Sequence, residues 1–290
     1  MLKKTLLFTA AFLFLIGTAY ADFLDDYRAA AKLQKSRKFK EAAASYEKLG
    51  KKQKDASLSD LCILSAVKSL ASGRKFEEAL EVSKAIKTQE IREYAQMHAY
   101  NVCGKKRQLK DVFKDTDISK WPDEYAYLGY FMRGSASPRA AGLKDLESAL
   151  AACGSDQMTK EIILRELGER YVMLGRNAQA HVVLDRLIAE GTKGRIQYQA
   201  GVRAKAVLLA KEKKFDAADK MLARLNNAKE KLQQFWNLIT KAKIETFKGN
   251  RTEAEKLYDT AFAMKGVARP VINLQKMEAG RTFPKYKEKK

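Results

Sequence analysis

The chain is short of the residues that break or staple a fold. Its 290 residues include only 4 prolines and 16 glycines, too few for the tight turns of a multi-strand sandwich or barrel. Two histidines and three cysteines leave little for a zinc site built from those ligands, and no metal or other cofactor is expected. An odd cysteine count means that at least one of Cys62, Cys103 and Cys153 cannot pair within the chain. Cys62 and Cys103 fall on apolar helical faces, where a thiol behaves as a small hydrophobe, and all three are read as structural thiols. Acids are outnumbered, 35 against 56 Lys and Arg, for a net charge of +21, which points to an anionic partner or surface.

Long apolar runs are scarce as well. The one at residues 5–17 follows Lys3 and Lys4 and closes on Ala19-Tyr20-Ala21. A charged start, a short apolar middle and a small-x-small exit are the parts of a secretory signal peptide. A run of about 13 residues falls short of the roughly 20 that span a bilayer. Residues 1–21 are therefore expected to be cleaved between Ala21 and Asp22, leaving an exported, periplasmic product; retention as an anchor is the alternative. Later apolar stretches are interrupted by charge within a few turns, so no further membrane segment is expected.

What is present is helical periodicity from residue 22 onward, broken at short basic or glycine-containing turns that resemble one another. Arg37-Lys38-Phe39-Lys40-Glu41-Ala42, Gly73-Arg74-Lys75-Phe76-Glu77-Glu78-Ala79 and Lys213-Lys214-Phe215-Asp216-Ala217-Ala218 share one shape, and Gly175–Ala180 and Gly249–Ala254 repeat it. The closing alanines, Ala42, Ala79, Ala180, Ala218 and Ala254, serve as anchors, with weaker ones at Val112 and Ala141. Twelve residues before the seven anchors stand Ala30, Val67, Tyr100, Gly129, Gly168, Ala206 and Ala242. Small residues at two fixed places let the helices of a pair approach closely. The pattern is a helix–turn–helix unit repeated about seven times.

This resembles the tetratricopeptide repeat family, whose unit is about 34 residues with small residues at those places. The likeness covers residues 22–265, although the proline that often closes each unit is missing and units three and four are irregular. It implies an all-α fold, a right-handed α-solenoid. Residues 266–280 would form a capping helix with Val271, Leu274 and Met277 as its apolar stripe, and 281–290 a basic, disordered tail.

Chemistry is sparse. His98 and His181 lie in different units without a nucleophile or carboxylate at catalytic spacing, and are read as packed or surface residues. No glycine-rich phosphate loop follows a strand. Pairs such as Glu77-Glu78 and Glu166-Glu169 read as helix-surface partners of nearby cations. No enzymatic activity is expected, and a binding module is the default. In the family, positions fifteen and eleven before the anchor tend to face the groove, which here would place Arg165, Arg203, Lys68 and Lys243 there. Tyr130, Arg133 and Trp236 would add aromatic and cationic contacts. Arg165 and Arg203 would offer adjacent guanidinium forks to a carboxylate, unless helix acids such as Glu161 or Glu169 occupy them. These residues do not reproduce the Lys/Asn carboxylate clamp of chaperone-binding relatives.

The turns form a second candidate. Arg37, Lys38, Arg74, Lys75, Lys105, Lys106, Arg107, Arg176, Lys213, Lys214 and Arg251 would line one edge as a basic ridge for an anionic membrane, lipopolysaccharide or wall polymer. Cations at helix C-termini also offset the helix dipole, so the ridge has an ordinary structural reading. Export disfavours nucleic acid. The expected role is a cell-envelope scaffold for a protein or peptide, with a polyanion-binding protein as the alternative.

Overall fold

A computed structural model describes residues 21–225 and 230–286; of the expected leader, residues 1–21, all but Ala21 lie outside them. Among the described residues are fifteen α-helices and no strand. They are α1 (Ala21–Lys35), α2 (Phe39–Lys52), α3 (Ala56–Ser72), α4 (Phe76–Ser83), α5 (Gln89–Val102), α6 (Lys106–Val112), α7 (Asp123–Ala136), α8 (Leu143–Ala152), α9 (Gln157–Met173), α10 (Asn177–Glu190), α11 (Ile196–Lys211), α12 (Phe215–Ala223), α13 (Lys231–Lys248), α14 (Arg251–Phe262) and α15 (Arg269–Ala279). The described residues form two compact units that divide between Ile163 and Leu164, inside α9.

The helices begin and end for local reasons that recur. Arg37, Arg74, Gly104, Gly175, Lys213 and Gly249 all take positive φ, between 60° and 87°, each just after a helix. The next residue then donates its N–H to the carbonyl five places back: Lys38 to Leu33, Lys75 to Leu70, Lys105 to Tyr100, Arg176 to Tyr171, Lys214 to Leu209 and Asn250 to Glu245, all at 2.8–3.0 Å. This is the left-handed helix stop that satisfies an orphan carbonyl. The same hinge therefore sits inside six helix pairs, although three of its residues carry a Cβ that disfavours it.

In residues 21–163 the first helices of successive pairs, α3, α5 and α7, pack on one another as well as on their own second helices. Their core runs from Ala30 and Ala42 through Leu64, Val67, Ala79, Met97 and Leu109 to Trp121 and Met132. Buried Asp60 of α3 accepts the backbone N–H groups of Lys87 (2.8 Å) and Thr88 (2.9 Å), fixing the entry to α5. Gly129 lies under the Trp121 ring, where a Cβ would stand 2.4 Å from Cζ3. In residues 164–290, α11 contacts α10, α12 and α13, and α14 packs on α13, around Val202, Ala206, Ala218 and Leu222 and around Phe235, Ala242, Ala254 and Tyr258.

All five alanine anchors are fully buried. The two weaker ones are corrected: Val112 is 55% exposed and Ala141 is also exposed. Leu109 and Leu146 are buried in their stead. In the second of these pairs the small residue sits on the first helix: a Cβ on Gly134 would lie 3.0 Å from Leu146 Cγ.

The last helix also differs from expectation. α15 buries Ile272, Gln275 and Ala279, while Leu274 and Met277 are 55% and 57% exposed. Residues 281–286, expected to be disordered, instead place Phe283 in the core at 1% exposure. The Tyr286 hydroxyl donates to Asp259 (2.8 Å) and Lys285 pairs with Glu255 (3.0 Å) and Asp259 (2.9 Å). Two aromatics outweigh the basic composition there; residues 287–290 lie outside the described part.

Candidate functional site

The residues expected to face a groove have separate fates. Arg133 is committed to structure. Its Nε and Nη2 form a two-pronged pair with Asp145 (2.7 and 2.9 Å), and Nη1 donates to the Phe113 and Thr116 carbonyls. Its guanidinium also stands 5.9 Å from the Tyr130 ring centre. Arg165 pairs with Glu169 one turn on (2.8 Å) and Lys243 with Glu278 (3.1 Å). Trp236 is partly buried edge-on to Phe235.

Two cations are left without a carboxylate. In unit one, the Lys68 ammonium lies 5.1 Å from the Tyr94 ring centre and 5.8 Å from that of Tyr125. The two rings stack at 4.5 Å. The Lys68 ammonium makes no ion pair or hydrogen bond with any described residue. Burial pushes its pKa below the usual lysine value. The same burial, with the Lys68 charge as a second cause, brings His98 down to about 4, so its imidazole is neutral. Desolvation raises Tyr94 and Tyr125 as well. Beside them the Tyr27 and Ser65 hydroxyls share a hydrogen bond of 2.8 Å. Helices α1, α3, α5 and α7 thus supply a half-buried patch of one cation, neutral hydroxyls, an imidazole and aromatic faces.

In unit two, Arg203 of α11 is 9% exposed. Its Nη1 donates to Gln233 Oε1 (3.0 Å) and Asn237 Oδ1 (3.3 Å) on α13. Burial lowers its pKa to about 10, and the Glu169 carboxylate works in the opposite direction.

The histidines acquire partners that spacing did not reveal. His181 Nδ1 lies 2.6 Å from the Lys205 ammonium and Nε2 2.9 Å from Glu212. An ammonium only donates, so Nδ1 accepts and the proton sits on Nε2. Lys205 also pairs with Asp185 (2.7 Å). Among the described residues no serine, threonine or cysteine hydrogen-bonds to either histidine. Among those residues no three His, Cys, Asp or Glu converge on a metal position, and no helix is long and apolar enough to cross a membrane. The cysteines form no disulfide, and burial raises the Cys62 thiol to about 11.

All eleven ridge residues are exposed. Several serve the fold: Arg74 donates to the Val102 carbonyl that ends α5, Lys105 lies 5.4 Å from the Phe76 ring centre, and Arg251 donates to the Thr282 carbonyl (3.0 Å). Lys38 and Lys214 pair with Glu41 and Glu212. The side chains of Arg37, Lys75, Lys106, Arg107, Arg176 and Lys213 have no partner among the described residues. An open cleft of about 800 Å³ between α2 and α4, not foreseen from sequence, carries Glu47, Glu77, Glu78 and Glu81 beside Lys40 and Lys84.

No protein family, curated protein or solved structure matches this chain.

Proposed function

We propose that the exported chain is a non-catalytic scaffold of the bacterial cell envelope, a right-handed α-solenoid of tetratricopeptide-like pairs whose first helices bind an acidic segment of a partner protein. The repeat reading is supported by the hinge that recurs six times and by the five buried anchor alanines. The observation that carries the binding reading is Lys68: a half-buried ammonium with rings but no carboxylate around it. A charge taken partly out of water without a counterion is costly, and an incoming carboxylate removes that cost. Selection of random peptides on the chain from residue 22 tests this. Acidic peptides should be enriched, and Lys68→Gln should weaken them about tenfold. Enrichment without acidic bias, or indifference to Lys68→Gln, contradicts it.

The second reading, attachment to an anionic surface through the turns, is favoured by the six unpartnered ridge cations. It requires binding to phosphatidylglycerol vesicles that collapses with salt and ignores Lys68→Gln.

A further inference from the structure

Arg203 carries a recognition edge that the fold leaves unused. A guanidinium has five N–H donors. Nη1 spends its two on Gln233 and Asn237. Asn237 is itself held in orientation, because its amide nitrogen donates to the Leu225 carbonyl (3.0 Å) and so must turn its oxygen toward the arginine. The Nε and Nη2 groups have no hydrogen-bond partner and no carboxylate within ion-pair distance among the described residues. They are not among the sealed polar atoms, so solvent reaches them. The nearby acid of α9, Glu169, is already engaged by Arg165 at 2.8 Å. A side chain 9% exposed, gripped at one nitrogen and open along its two-donor edge, is set up for a partner from outside the chain.

We propose that this Nε–Nη2 edge binds one carboxylate of a partner protein through two parallel hydrogen bonds. The ligand class follows from charge and shape. The edge matches two oxygens of a planar carboxylate. A dianionic phosphate would bring about twice the charge of a carboxylate into the field of Glu169, so the singly charged group is favoured. The inference rests on the scaffold reading above and deepens it, naming the group that unit two selects. The carboxylate belongs either to an acidic side chain or to a chain end.

The test follows the Arg203 Nε–H resonance in ¹⁵N-labelled chain from residue 22, identified by its loss in Arg203→Lys. The probes are N-acetylglutamate α-amide, N-acetylglycine, inorganic phosphate and chloride at matched ionic strength. A saturable shift with one or both carboxylates, exceeding that with phosphate or chloride, supports the proposal, and the stronger of the two carboxylates names the source. Equal shifts for all four, or none, overturn it. Gln233→Glu supplies an internal carboxylate and should weaken the carboxylate response about tenfold while the resonance persists; an unweakened response also counts against the proposal. If selected peptides still depend on Lys68 while the Arg203 resonance is silent, this inference fails and the scaffold reading stands; loss of both effects removes both.

Discussion

Gly168 of α9 faces Leu184 of α10 so closely that a methyl group on the glycine would stand 2.4 Å from Leu184 Cδ2. The two helices can meet at this distance only because one side chain is missing. Alanine gains up to about 1 kcal/mol in helix propensity, but overpacking a filled interface costs about 1–3 kcal/mol. Gly168→Ala should therefore lower stability by roughly 1–2 kcal/mol in urea titrations. Added to Leu184→Ala it should cost less than the two separate losses combined, since each relieves the other. Strict additivity would mean the pair does not touch.

The hinge makes an opposite prediction. Lys213 takes φ 60°, a conformation disfavoured for a residue with a Cβ, and its side chain has no partner among the described residues. Lys213→Gly should stabilise by about 0.5–1 kcal/mol, read as a raised urea midpoint. If the turns hold an anionic surface, the same variant binds vesicles more weakly, so one substitution reports on both roles.

Arg133 and Asp145 are each only about 15% exposed. Asp145→Ala leaves a guanidinium without its counterion and should cost about 2–3 kcal/mol in thermal or urea unfolding. Replacing both by apolar residues, Arg133→Met with Asp145→Leu, should cost less than the single change.

His98 gives the fold a pH dependence. Its pKa of about 4 in the folded chain lies below the value near 6.5 of an unfolded histidine. Between those values the unfolded chain binds a proton that the folded chain does not, so stability rises with pH in that window. The contribution is present above about pH 6.5 and is lost as pH falls toward 4. His98→Gln should flatten this part of the stability curve measured by urea titration; an unchanged slope would place the dependence elsewhere.

The helical architecture was legible because its cues are local. Alanine anchors, basic turns and first-helix small residues recur at similar spacing, and Arg165 pairs within its own helix turn. The misplaced anchors at Val112 and Ala141 have a physical cause. The third and fourth pairs put leucine where the others put alanine, and near Leu146 the room is made by Gly134 on the other helix. In α15, two overlapping apolar stripes fit one periodicity, and only the neighbouring aromatics decide that Ile272 faces inward. The order of the tail is hidden in the sequence because its charge masks Phe283 and Tyr286. Arg203's acceptors lie 30 and 34 residues away, and the rings around Lys68 belong to two later helices, so neither environment could be read from spacing.

Calorimetric titration of the chain from residue 22 with an alternating Glu-Ser peptide, at low and high salt, tests the central claim most directly. Two variants accompany the parent: Lys68→Gln, and the turn triple Lys75→Gln, Lys106→Gln, Arg107→Gln. The account predicts that Lys68→Gln weakens binding about tenfold, while the turn triple stays within about threefold of the parent at high salt. Binding that survives Lys68→Gln and is abolished by the turn triple would contradict it.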